Sequence, residues 1–178
     1  MCQNAAPPSL RTATKQVAAQ ITDTDQGEFT ALAAAYSVDR VNERIVPGAF
    51  RDSISRWQGS GKDLPLAWDH SRAGPDIIGS IDPASMRETD EGLFVRGQLD
   101  LEDSELAREA WRSVKRNRVG LSFGYLVGAD RKAEDGVKEL LELDIFEVTL
   151  TSSPANADAR VLSAKSYEPV KLVSFSVE

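Results

Sequence analysis

GLSFGYLVGADRKAEDGVKELLELDIFEVTLT, residues 120–151, carries the pattern that decides the fold. Its first part alternates with a period of two, so Leu121, Phe123, Tyr125 and Val127 share one face of an extended segment and Ser122, Gly124 and Leu126 the other. The polar stretch ADRKAEDG reads as a loop joining this strand to a second over residues 137–151. In that second strand the apolar phase runs through Leu141, Leu143 and Ile145, then slips to Phe146, Val148 and Leu150. Such a slip predicts a β-bulge, which re-aims the side chain beyond it, and that side chain is Glu147.

The same reading extends to either side. Residues 103–117 predict a helix with Leu106, Ala110 and Val114 on one stripe, acidic residues early, Lys115, Arg116 and Arg118 at its end, and Gly120 as its stop. Upstream, Leu64, Leu66, Trp68 and His70 alternate onto one side of a strand that His70 ends. Residues 77–82 predict a short strand, and the RETDEG turn leads into the alternating LFVRGQL, which is hairpin material. The turn Val46-Pro47-Gly48 precedes Phe50, Ile54 and Trp57, whose spacing defines a short helix ended by the glycines of GSGK. EFTALAAAYSV, residues 28–38, fits a helix or a strand, and its aromatic residues and the polar DRVNER after it favour a strand leading into a loop. The chain thus divides into an arm at 1–26, one folded domain at 27–166 and a tail at 167–178 that could be a last strand or a docking segment.

Composition narrows the chemistry. In 178 residues, 28 acidic side chains against 21 basic ones give a net charge of -7, which offers no general attraction to nucleic acid or anionic lipid. Apolar stretches fall short of a membrane span and the opening residues lack a signal-peptide core, so a cytoplasmic location is expected. One cysteine, Cys2, permits neither an intrachain disulfide nor a Cys-rich zinc site and reads as an incidental terminal thiol. The one histidine is His70, so any imidazole base must be that residue. A metal hydrolase with Asp69 and His70 as ligands lacks the second histidine such zinc sites usually need, and no cofactor is expected.

Three polar residues stand out: His70 at a strand end, Ser122 between Leu121 and Phe123 just past a helix stop, and Glu147 inside an apolar strand. A serine hydroxyl becomes a useful nucleophile when an imidazole removes its proton, and an acidic partner fixes the imidazole's tautomer and stabilises its cation. Spacing alone leaves open a surface histidine, a helix-flanking serine and an edge-strand glutamate.

The three sites lie within VPGAF at 46–50, LAWDHS around His70, Ile78-Gly79, DEGLFVRGQL, GLSFGY at 120–125 and FEVTLTSSPANADARV at 146–161. In this order and spacing the segments resemble the tailed-phage prohead proteases, capsid maturation enzymes related in fold to the herpesvirus maturation protease, assemblin. The resemblance covers residues 27–166, although Pro75 is displaced from its usual place before Ile-Gly. It implies an α+β, mainly β fold: a compact antiparallel β-barrel flanked by helices. It also implies a serine endopeptidase with His70, Ser122 and Glu147 as catalytic residues. Herpesvirus relatives use a second histidine as third member, which a chain with one histidine cannot supply, so Glu147 fills the role. Main-chain N–H groups at Gly124 or near Gly120 are candidate oxyanion donors. The implied substrate is the N-terminal scaffold-like segment of the major capsid protein, cut inside the assembling procapsid in the host cytoplasm, with self-cleavage following. A homo-oligomer, a dimer by analogy, is the implied assembly. The competing expectation is a non-catalytic capsid assembly or scaffolding module that keeps the fold and only binds coat protein.

Overall fold

The computed structural model describes residues 26–71 and 73–164. In chain order its strands and α-helices are β1 (Glu28–Ala35), β2 (Glu43–Ile45), α1 (Arg51–Ser60), β3 (Leu64–Trp68), β4 (Ile77–Ile81), β5 (Arg87–Glu88), β6 (Gly92–Leu99), α2 (Glu105–Lys115), β7 (Gly120–Lys132), β8 (Lys138–Thr151) and β9 (Arg160–Ala164). Cys2 and the segments 1–25 and 165–178, with the arm and tail expected there, lie outside the described residues. Among the described residues no helix is long and apolar enough to cross a membrane.

The fold is mainly β with two helices, as expected. One sheet runs β2-β8-β3-β4-β6-β1-β9, with β7 also on β8 and β5 also on β6. Two details of the expected antiparallel barrel need correction. The sheet does not close by a ladder: near the seam, Leu121 N–H donates to Ala159 C=O at 3.3 Å, but β9 and β7 are not ladder neighbours among the described residues. The sheet is also not wholly antiparallel, because β2 and β3 both run parallel to β8. The connection between β2 and β3 contains α1.

That connection shapes the site. β2 pairs with residues 138–140 and β3 with residues 148–150, while β7 pairs along almost the whole of β8. The two short strands therefore lie end to end along one edge of β8, with a gap between them. The α1 region fills the gap: Leu143 N–H donates to Ala49 C=O at 2.9 Å, Ile145 N–H to Ser53 Oγ at 3.0 Å, and Trp57 Nε1–H to Ile145 C=O at 2.8 Å. Ser53 is fully buried, on the helix face it shares with Phe50, Ile54 and Trp57.

The β7–β8 hairpin is longer than the alternation suggests, since β7 continues through the first half of the stretch read as a loop and turns only at residues 133–136. The phase slip is real. Gly124 opposes Glu147 and Tyr125 opposes Ile145, which leaves Phe146 as the extra residue of a bulge. A second irregularity, between Glu142 and Leu140, buries Leu140 in place of the expected Leu141.

The core contains Phe50, Leu66, Ile78, Leu93, Val95, Leu121, Leu143 and Val148, with Phe123 edge-on to Phe50 at 5.6 Å between ring centres. α2 covers it with Ala107, Ala110, Trp111 and Val114, and Ser104 caps the helix by accepting Ala107 N–H at 3.1 Å. The helix stop is Asn117 rather than Gly120. Asn117 takes φ 52°, and the bonds Asn117 N–H to Val114 C=O and Arg118 N–H to Ser113 C=O form a Schellman closure. Asparagine tolerates the left-handed conformation that glycine more often supplies, and Gly120 instead opens β7.

Ser53→Ala removes the acceptor of the buried Ile145 N–H. The expected loss is about 1–3 kcal/mol of unfolding free energy, measured by urea titration with an unchanged m-value.

Candidate active site

On β8, Glu147, Thr149 and Thr151 lie at alternate positions and therefore share a face. Across the ladder Glu147 opposes Gly124, Thr149 opposes Ser122 and Thr151 opposes Gly120, while on the other edge Thr149 is paired with Ala67 of β3. The bulge makes this possible. In an uninterrupted strand Glu147 would share the face of Ile145; with Phe146 bulged out of the ladder, Glu147 joins Ser122 and Thr149.

His70 does not end the strand in the alternation expected for it. β3 stops at Trp68, and both Asp69 (φ 51°) and His70 (φ 62°) are left-handed in a turn closed by Ser71 N–H on Trp68 C=O at 3.0 Å. Continued alternation would have put His70 on the face of Leu66, which is the face of Val148. The left-handed pair turns the imidazole to the opposite face, where His70 Nδ1 lies 2.8 Å from Glu147 Oε1. Left-handed backbone costs roughly 1–2 kcal/mol per non-glycine residue, and β8 offsets it with a set of hydrogen bonds. Asp69 N–H donates to Leu150 C=O at 3.0 Å, His70 N–H to Thr149 Oγ1 at 3.0 Å, and Thr151 Oγ1–H to Asp69 Oδ1 at 2.7 Å.

The structure thus brings His70 and Glu147 into direct contact and sets Ser122 one strand away, opposite Thr149. Among the described residues no hydrogen bond joins Ser122 to His70; such bonds are often long in enzymes without substrate. The Glu147 side chain is 3% exposed and that of His70 46%, so the carboxylate is inside and the imidazole reaches solvent. Glu147 Oε2 is buried without a hydrogen-bond partner, so the contact with His70 is the one polar interaction recorded for this carboxyl group among the described residues. Asp69 directs its carboxylate to Thr151 rather than joining His70 around a metal position.

A cavity of about 80 Å³ opens beside Ser122, with Ala33, Ala35, Leu121 and Ala159 among its apolar walls. At its rim Tyr125 donates to Glu43 at 3.1 Å, and burial, reinforced by the Glu43 carboxylate, pushes the phenol up to about 12.

Sequence reading missed Thr149 and Thr151, whose hydroxyls matter only because β3 docks beside β8. It also gave no packing reason for the two glycines of β7. A Cβ on Gly124 would lie 2.3 Å from Phe146 Cε2 and 2.7 Å from Glu147 Cγ, and one on Gly120 2.8 Å from Ala159 O. Close approach alone requires both to be glycine.

A buried carboxylate held against an imidazole, one strand from a serine, supplies the groups needed for acid–base and nucleophilic chemistry at a carbonyl. The chain belongs to the caudovirus prohead serine protease family, whose model matches residues 15–172, and the resemblance seen in its motifs is thereby borne out. Among curated proteins it is similar to the capsid polyprotein of Pseudomonas phage PAJU2, with 27% identity over 154 residues. That match takes in 82% of this chain but only 21% of the relative's length. Among solved structures it is similar to varicella-zoster virus protease, with a TM-score of 0.44 and 16% identity over 75% of this chain and 62% of that one.

Gly124→Ala forces a methyl group against Phe146 and Glu147. It is expected to destabilise the fold by about 1–3 kcal/mol, measured by urea titration, because Phe146 and Glu147 must move to admit it.

Proposed function

We propose that the chain is a capsid maturation endopeptidase in which Ser122 is the nucleophile, His70 the general base and acid, and Glu147 the group that orients His70. The observation that carries this reading is the 2.8 Å contact between His70 Nδ1 and the buried carboxylate of Glu147, on the face of the sheet that Ser122 shares. Glu147 Oε1 accepts the Nδ1 proton, which leaves Nε2 with its lone pair free to act as a base.

In this mechanism Ser122 Oγ adds to the scissile carbonyl as its proton passes to Nε2 of His70. The tetrahedral intermediate collapses, the C–N bond breaks, and the imidazolium gives that proton to the leaving amine. Water then attacks the acyl-enzyme and loses a proton to the same nitrogen; the C–Oγ bond breaks, the imidazolium returns that proton to Ser122 Oγ, and the carboxylic acid product leaves. During each transfer the imidazolium is stabilised by the Glu147 carboxylate, whose low-exposure setting weakens screening by solvent.

The substrate in this reading is the N-terminal scaffold-like segment of the phage major capsid protein, cut inside the procapsid in the host cytoplasm, with cleavage of the protease itself to follow. Family membership and the similarity to a phage capsid polyprotein support it. A second copy of the chain as a dimer partner belongs to the same proposal.

Co-expression with the cognate major capsid protein, followed by intact-mass analysis of both chains, tests the reading. The wild type is expected to shorten the capsid protein, while Ser122→Ala leaves every mass unchanged and Glu147→Gln cleaves at least about 100-fold more slowly. Equal cleavage by wild type and Ser122→Ala would overturn the assignment of the nucleophile. No cleavage by either, with the chain still co-assembling, would make it a binding module.

A further inference from the structure

We propose that Thr149 is a positioning residue for the imidazole, acting through the main chain of the turn that carries His70. This deepens the protease reading and rests on His70 being its base.

Thr149 is fully buried, and its hydroxyl is used twice. It accepts His70 N–H at 3.0 Å and donates to Ala67 C=O at 3.1 Å. The turn at 68–71 closes on itself through Ser71 N–H and Trp68 C=O, which leaves His70 N–H inside it and Ala67 C=O just before it to be satisfied from outside. The hydroxyl bridges these two backbone groups and so ties the turn to β8.

The consequence falls on His70 itself. Its φ of 62° is a conformation that a non-glycine residue keeps only when its surroundings impose it. Three groups meet that residue from β8: Glu147 at the ring, Thr149 at the amide, and, one residue earlier, Thr151 at the Asp69 carboxylate. Of these, Thr149 holds the main chain of His70 itself, and it does so two residues along β8 from Glu147, on the same face. The His70 backbone is therefore placed relative to the position from which the carboxylate projects. The cross-strand partner of Thr149 is Ser122, so the same residue also sets the imidazole relative to the proposed nucleophile.

A purely structural reading treats Thr149 as a buried hydroxyl that has found partners. On that reading its loss lowers stability and leaves the geometry at His70 alone. The two accounts are separable because His70 is the only histidine in the chain, so its ring protons are assigned without ambiguity.

The experiment compares the full chain as wild type, Thr149→Val, Thr149→Ala, Thr149→Ser and Ser122→Ala. Two readouts are used: the downfield proton signal of a carboxylate-bound imidazole Nδ1–H, and kcat and KM for cleavage of the cognate capsid protein. Thr149→Val and Thr149→Ala are expected to lose or broaden the signal and to lower kcat by about 10- to 100-fold with KM within about twofold, the scale on which an ångström of misplacement acts. Thr149→Ser is expected to restore both. Ser122→Ala is expected to keep the signal while abolishing cleavage. If either hydroxyl-free variant folds and retains the signal with wild-type kcat, the proposal is overturned. Cleavage that survives in Ser122→Ala sinks the protease assignment instead, and the imidazole signal in the Thr149 variants still decides the positioning role.

Discussion

One inserted residue organises this molecule. Phe146, the bulged position of β8, sends Ile145 to one face of the strand and Glu147 to the other. An uninterrupted strand would have given both the same face, and a carboxylate would have pointed into the packing around Phe50 and Phe123. The bulge is not left to itself. Ser53 and Trp57, one helical turn apart on α1, hold the amide and carbonyl of Ile145, so the helix that fills the gap between β2 and β3 also stabilises the irregularity that aims Glu147.

The imidazole reaches that carboxylate by a second departure from regularity. Asp69 and His70 both adopt left-handed backbone, which turns His70 away from the face its strand would assign. Two local strains, a bulge and a left-handed pair, meet at one hydrogen bond of 2.8 Å. Strain of this kind persists where its surroundings over-determine it, and β8 provides that through Thr149, Leu150 and Thr151. Gly124 completes the arrangement by leaving the space that the Glu147 stem and the Phe146 ring occupy.

Much of this was legible in the sequence because it is local. Alternation along residues 121–127 and the slip at 145–146 are properties of neighbouring residues, and they located the hairpin, the bulge and the face of Glu147. The motif order added the family, with the matching region taking in residues 15–172. What escaped depends on contacts far apart in the chain. Ser53 meets β8 across a separation of 92 residues, and Thr149 meets His70 across 79, so no window of sequence shows either. His70 itself was assigned to a strand end because period-two reading has no means of sensing a left-handed turn. The antiparallel barrel came with the resemblance, and the pattern of a strand, which does not state the direction of its neighbour, had no means of correcting it.

The central claim is that His70, held by Glu147, activates Ser122. The most direct test treats the folded chain with a serine-directed fluorophosphonate and maps the adduct by mass spectrometry. The account predicts modification at Ser122 in the wild type and its loss in a folded His70→Ala variant. Labelling at a different serine, or equal labelling of Ser122 without the imidazole, would contradict it.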